Sequence, residues 1–281
     1  RQNPLTGDWV LVSPHRNNRP WLGATESTSN YDLPEHDATC PLCPGNNRAN
    51  NESNPDYKNT FVFINDFGAL VNEQIQTQNL ANNDPLFKAN IANGECRVVC
   101  FSPKHNKSLP ELSTAEIDAV INTWQSNYIE LASTYNCVHI FENKGAVMGC
   151  SQPHPHCQIW AHDHLSTEVL LEDTNQLTYQ KRHGTNLLDD YVTREIENQS
   201  RMVLENEHWL VVVPFWAAWP FETLLIAKED VRHFGQLTQA HKLSLSLALK
   251  ALTTRYDNVF NCSFPYSMGW HNAPSNLEDD T

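Results

Sequence analysis

The segment Gly149-Cys-Ser-Gln-Pro-His-Pro-His-Cys-Gln-Ile-Trp160 leaves its backbone few options. Pro153 and Pro155 fix φ and remove two amide donors, so the stretch runs stiff and extended into the apolar residues that follow. In a strand, residues two apart point to one face, which lines up His154, His156 and Gln158. A rigid row of two imidazoles and a carboxamide suits a nucleophile set beside a donor that stabilises an anion. The other reading is a loop whose histidines merely pack.

The flanking pattern predicts how such a row is held. Phe61 to Phe67 and Arg97 to Ser102 read as strands. Ser113-Thr-Ala-Glu116 is a capping box. It opens a helix with Ile117, Val120, Ile121, Trp124, Tyr128 and Leu131 on one face. Cys137 to Phe141 is a further strand, and the opening motif begins the next. The order strand, strand, helix, strand, strand lets neighbours pair antiparallel with helices on one face, an α+β architecture. Beyond a polar, helical stretch from Glu168 to Met202 the order recurs. Strands are expected at 208–214 and 222–228, a helix from Leu237 and an extended run at 264–271. The chain therefore reads as a duplicated half, a mainly antiparallel sheet flanked by helices, divided at residues 1–165 and 166–281. Pro214 to Pro220 is an aromatic turn read as packing, and Trp9 to Val12 is expected as a short strand.

Cys40-Pro-Leu-Cys43-Pro-Gly is a tight knuckle that turns two thiols toward one centre. A redox dithiol is the rival, but no strand leads into it and Pro-Gly discourages a helix start, so the spacing favours a metal. This is the sole Cys-x-x-Cys among eight cysteines, so two further ligands must come from distant residues, and the thiol usage suggests a reducing compartment. Arg16 and Arg19 lie in a proline-bounded loop, either as a bidentate phosphate clamp or as a solvated surface. Residues 25–38 read as a mobile polar excursion. A net charge of −14 argues against a nucleic-acid or anionic-membrane surface. No run reaches membrane-spanning length, and the first residues hold no apolar signal-peptide core.

Asn3-Pro-Leu-Thr-Gly, Ser13-Pro-His-Arg, Cys40-Pro-Leu-Cys, Asn65-Asp-Phe, Phe141-Glu-Asn-Lys-Gly and the opening motif follow in order along the chain. Together they resemble the galactose-1-phosphate uridylyltransferases, the transferase branch of the histidine triad superfamily. The resemblance implies double displacement at phosphorus, with His156 taking a uridylyl group from UDP-glucose and passing it to galactose 1-phosphate. A neutral imidazole is a competent nucleophile near neutral pH, and a covalent intermediate splits one hard transfer into two. Gln158 would donate to a phosphoryl oxygen. Hydrolytic relatives carry a third histidine there, and a carboxamide does no acid–base work, which favours transfer over hydrolysis.

By the same resemblance Cys40, Cys43, His105 and His154 match zinc ligands. Arg16, Arg19, Asn65, Asn143, Lys144 and Ser151 match contacts to nucleotide or phosphates, with Phe63 and Phe67 near the uracil. Ser151 is counted with His156 and Gln158 in the catalytic set. Glu172 and His271 match two ligands of a second metal site, iron or a second zinc. The family's following His-x-His is not found in residues 272–281, so that site is two ligands short here, and the expectation is that the remainder lies beyond residue 281. A cytoplasmic homodimer is implied, with UDP-glucose, UDP-galactose and hexose 1-phosphates as small-molecule partners. Two other readings stand beside this one: a related nucleotide-sugar phosphorylase or adenylyltransferase, and a catalytically silent, zinc-stabilised binding protein. Only the last predicts no covalent nucleotidyl-protein. His139, His162 and His164 are assigned no chemistry.

Overall fold

The computed structural model describes residues 1–13, 33–72, 86–87 and 91–275. Its main sheet is antiparallel with strand order β1-β2-β4-β3-β8. The strands are β1 (Phe61–Ile64), β2 (Gly94–Cys100), β3 (Cys137–Lys144), β4 (His156–His162) and β8 (Tyr266–Trp270). A three-stranded sheet orders β5 (Met202–Glu205), β6 (Trp209–Val212) and β7 (Leu224–Ala227), also antiparallel. The α+β expectation holds.

The two faces of the main sheet have different work because side chains alternate along each strand. Val99, Val138, Ile140, Cys157, Ile159 and Ala161 point one way and are buried beneath helix α1 (Thr114–Ala132). Helix α1 starts where its capping box places it. Ser113 Oγ accepts from the Glu116 amide at 3.2 Å, and Glu116 Oε2 accepts from the Ser113 amide at 2.7 Å. Ile117, Val120, Ile121, Trp124, Tyr128 and Leu131 are all buried, as the periodicity predicts. Trp124 anchors this core: its ring meets Phe101, Phe234 and Trp270, and its Nε1 donates to Cys157 Sγ at 3.1 Å.

The opposite face carries His156, Gln158, Trp160 and His162 of β4. Over β1 and β2 it is covered by the cysteine knuckle, where Cys40, Leu42, Cys43 and Tyr57 pack with Val98, Cys100, Phe61 and Phe63. Helices α2 (Thr167–His183) and α3 (Leu187–Asn198) follow β4, separated by Gly184 in the left-handed region. Helix α3 packs Val192 on Leu210, Val212 and Ile226. Helix α4 (Gln239–Phe260) starts at Thr238, whose side chain accepts from the His241 amide. It lies against the other side of β6, where Trp209 Nε1 donates to the His241 carbonyl.

Three local expectations need correction. Residues 9–12 form no strand, only an isolated Gln2–Trp9 bridge; Trp9 and Leu11 are exposed, and among the described residues no strand pairs with them. Met202 ends no helix but begins β5, after Gln199 leaves α3 in the left-handed region. The repeated order β6-β7-α4-β8 is present, yet β8 joins the first sheet, pairing with β3 from Ile140–Trp270 to Lys144–Tyr266. Among the described residues, no helix is long and apolar enough to cross a membrane.

Trp124→Ala removes the indole shared by α1, β4 and β8. It is expected to lower the unfolding free energy by about 3–5 kcal/mol, read by urea denaturation.

Candidate active site and metal centre

The turn ahead of β4 depends on two glycines, Gly145 and Gly149, at φ of 92° and 80°. These conformations carry little steric penalty only without a Cβ. The turn delivers the chain to Pro155, whose carbonyl accepts the Phe101 amide at 3.0 Å and docks the motif on the end of β2. From there β4 is hydrogen-bonded on both edges, to β2 and to β3.

His154 sits just ahead of the strand and is buried with Cys40, Cys43 and His105. Their ligand atoms all lie within 4.8 Å of one another. Cys43 Sγ is 3.6 Å from His105 Nδ1 and 3.5 Å from His154 Nδ1. One thiol proton cannot satisfy two imidazole nitrogens. Sulfur and nitrogen donors at ~2.3 and ~2.0 Å from a tetrahedral ion stand about 3.5 Å apart, so the geometry and the soft donor set both fit a metal. The far nitrogen of His154, Nε2, lies 2.9 Å from the Ser102 carbonyl and 3.1 Å from Tyr57 Oη. Nε2–H donates to that carbonyl, which leaves Nδ1 as the ligating lone pair. Burial pulls the His154 pKa down to about 4 and pushes Cys40 up to about 11, so without an ion these two groups are uncharged at neutral pH. The knuckle is braced by Asn46 Nδ2, which donates to the Asp37 and Cys40 carbonyls, and by Asn54 Nδ2, which donates to those of Pro41 and Cys43.

Two residues on, His156 is held by the same segment for a different use. Its Nδ1–H donates to the His154 carbonyl at 2.7 Å. That bond sets the tautomer and leaves Nε2 with a free lone pair. Burial lowers the His156 pKa below its ordinary value, opposed by the bond to His154. The ring lines a small cleft with Phe141, Asn143, Gly149, Cys150, Ser151 and Gln158, about 50 Å³ in volume. Gln158 Oε1 accepts from Trp160 Nε1 at 3.0 Å. Among the described residues its amide nitrogen has no acceptor, so the donor end of the carboxamide is the one left for a ligand.

The structure thus gathers His156, Gln158, Ser151 and Asn143. Asn143 Oδ1 accepts from Ser267 Oγ at 2.6 Å. Asn65 follows β1 and caps its own turn, with Oδ1 accepting from the Phe67 amide. Phe63 stacks on Phe61 beneath Arg48, and Phe67 is exposed. None of these three lines the cleft. Lys144 departs from expectation. It points to the other face of β3, with Nζ 3.5 Å from Asp257 Oδ1 and over the Tyr266 ring, because strand alternation sends it opposite to Asn143. Arg16 and Arg19, and residues 25–32 of the polar excursion, lie outside the described residues. Glu172 and His271 do meet, with His271 Nδ1 2.9 Å from Glu172 Oε2, and that bond raises the His271 pKa.

Sequence reasoning missed Trp160, Tyr57 and Ser102. Trp160 had a signal, its two-residue spacing from Gln158 in a strand. Tyr57 and Ser102 had none, since they reach His154 only through the fold.

Two family models cover almost the whole chain: the N-terminal domain of galactose-1-phosphate uridyl transferase over residues 1–166 and its C-terminal domain over residues 172–281. The chain belongs to the galactose-1-phosphate uridylyltransferase family. It is 52% identical over 278 residues to a probable galactose-1-phosphate uridylyltransferase of Drosophila melanogaster, covering 99% of this chain and 79% of that protein. It is 51% identical to the enzyme of Haemophilus influenzae, covering all of this chain and 80% of that one. A solved uridylyltransferase structure matches with a TM-score of 0.75 at 26% identity, over 98% of this chain and 80% of the other. An ADP-glucose phosphorylase from Arabidopsis thaliana shares the fold, with a TM-score of 0.74 at 24% identity over 99% of this chain and 83% of that one.

Two outcomes follow from this geometry. His154→Ala is expected to abolish metal binding at the knuckle and destabilise the protein by about 2–4 kcal/mol, whereas His156→Ala keeps the metal; metal analysis and thermal melts check both. In an NMR titration, the His156 imidazole of the wild-type protein is expected to protonate with a midpoint below 6.5, since burial disfavours the cation.

Proposed function

We propose that this chain transfers a uridylyl group from UDP-glucose to galactose 1-phosphate through a covalent intermediate on His156. The observation that carries the reading is the His156 tautomer: with Nδ1–H committed to the His154 carbonyl, Nε2 keeps its lone pair beside Gln158. Nε2 attacks the α-phosphorus of UDP-glucose, the bond to the β-phosphate oxygen breaks, and glucose 1-phosphate leaves. A phosphate oxygen of galactose 1-phosphate then attacks the same phosphorus, giving UDP-galactose and restoring the free imidazole. The Gln158 amide, its carbonyl end held by Trp160, donates to a non-bridging oxygen as charge builds there. Ser151 and Asn143 line the cleft for the phosphates, Arg16 and Arg19 pair with them, and Asn65, Phe63 and Phe67 serve the uridine end.

Specificity for transfer rests on the carboxamide. Water attacking a phosphohistidine needs a base, and Gln158 is none, so the intermediate persists until a sugar phosphate arrives. Relatives near 50% identity bear the uridylyltransferase name, which favours a uridine nucleotide over the adenine nucleotide of the phosphorylase at 24%. The ion suited to Cys40, Cys43, His105 and His154 is zinc, from the two-sulfur, two-nitrogen donor set. It supplies rigidity to the segment that carries His156, not a step of the reaction. Glu172 and His271 hold part of a second site, for iron or zinc. We further read the chain as two repeats, 1–165 and 166–281, in a cytoplasmic homodimer.

Incubation with UDP-glucose followed by intact-mass measurement tests the reading. A uridylyl adduct that survives base, is lost in acid and is absent in His156→Ala is expected; binding of UDP-glucose without any adduct overturns it. Gln158→Ala is expected to slow adduct formation by about 10²–10³-fold in a rapid-quench assay, with UDP-glucose affinity little changed.

A further inference from the structure

The face of the main sheet that carries His156 continues past the cleft. At its far end β4 closes on His162, which pairs directly with Cys137 of β3, while His139 stands across from Trp160. Cys137 and His139 are two residues apart on one strand, so they share a face, and the register brings His162 onto the same face. Cys137 Sγ lies 3.1 Å from His139 Nε2. The His139 and His162 rings are 5.4 Å apart. One ligand atom from each of the three falls within 4.8 Å of the others. Cys137 and His162 are buried, 4% and 5% exposed, and Cys137 is a free thiol.

A packed thiol hydrogen-bonded to one imidazole would explain Cys137 and His139, but not the convergence of a second imidazole from the next strand. His162 is also prepared as a ligand. Its Nδ1–H donates to the His164 carbonyl at 2.5 Å, and its ring stacks on His164 at 4.2 Å. This leaves Nε2 with its lone pair, the arrangement that ligating histidines show when a backbone carbonyl orients them.

We propose that Cys137, His139 and His162 form a further metal site at the end of β4, for zinc or another borderline first-row divalent ion. One thiolate and two imidazoles select against magnesium and calcium, which take oxygen donors. Three protein ligands leave a tetrahedral ion one open position. Beside His139 runs a cavity of about 210 Å³, lined also by Trp160, Glu168 and His271, which gives that position room for water or a small anion. The three ligands include neither Glu172 nor His271, although His271 lines the same cavity with its Nδ1 on the Glu172 carboxylate.

The placement gives the site its meaning. His162 is six residues from His156, about 20 Å along an extended strand. An ion there touches no reacting atom. It ties the last residue of β4 to the first residue of β3. With the knuckle cluster ahead of His156, the strand that carries the cleft is clamped at both ends. Neither clamp depends on which nucleotide sugar the protein uses.

The test uses the full chain, stripped of metal and titrated with Co²⁺ alone, following thiolate-to-cobalt charge transfer and bound cobalt. Wild-type protein is expected to bind at least about two equivalents, with contributions from the thiolates of Cys40, Cys43 and Cys137. Cys137→Ala and His162→Gln are each expected to lose one equivalent, and Cys137→Ala about a third of the charge-transfer intensity. The band from Cys40 and Cys43 persists in both and reports that the fold is intact. His139→Gln gives an independent reading of the same loss. Binding of a single equivalent by the wild type, or unchanged stoichiometry in these three variants, overturns the proposal. So does loss of the additional equivalent in Glu172→Ala but not in Cys137→Ala.

Discussion

The pairing of β4 along both its edges is the constraint on which the site depends. Registered against β2 on one side and β3 on the other, the strand has no freedom to rotate or slip. A slip of one residue would drive His156 and Gln158 into the core and expose Cys157, Ile159 and Ala161. The apolar half of the alternation therefore holds the polar half in place. Trp124 completes this lock, since its indole packs on the core face and donates to Cys157, the residue between His156 and Gln158 in sequence.

Within that frame, few hydrogen bonds define the chemistry, and each settles a choice that a free side chain leaves open. His154 points one nitrogen at the cysteine knuckle because the other is spent on the Ser102 carbonyl. His156 offers Nε2 because Nδ1 is spent on the carbonyl of His154 itself. A buried cluster and a cleft are thus joined through a single peptide unit. Gln158 turns its nitrogen outward because Trp160 holds its oxygen. In each case the reactive or binding atom is what remains after its partner atom has been satisfied.

Much of this was legible from local patterns. The capping box at Ser113 and the face from Ile117 to Leu131 predicted α1, since both act within a few turns of helix. The Pro-His-Pro-His run predicted an extended row because prolines act on their own backbone. The knuckle announced a metal but named only half its ligands from spacing. His105 and His154 came from family resemblance, and the fold brings them to the knuckle across 62 and 111 residues. Residues 9–12 are β-prone, but a strand needs a neighbour to pair with, and among the described residues only Gln2 bridges to Trp9. The direction of Lys144 was likewise a matter of the fold: parity within β3 sends it to the Asp257 side, opposite to Asn143.

The amino-acid sequence by itself determined the types of group available, the stiffness of the segment that carries them, the helices that cap and bury themselves, and the family. These follow from interactions between residues near one another along the chain. Only the tertiary structure decided that β8 adds to the first sheet and that Tyr57 and Ser102 meet His154. It also decided that Trp160 turns Gln158, and that Cys137, His139 and His162 converge at the end of β4. Those outcomes are matters of register and of hydrogen-bond competition across strands, where a shift of one residue reverses the face on which every side chain lies.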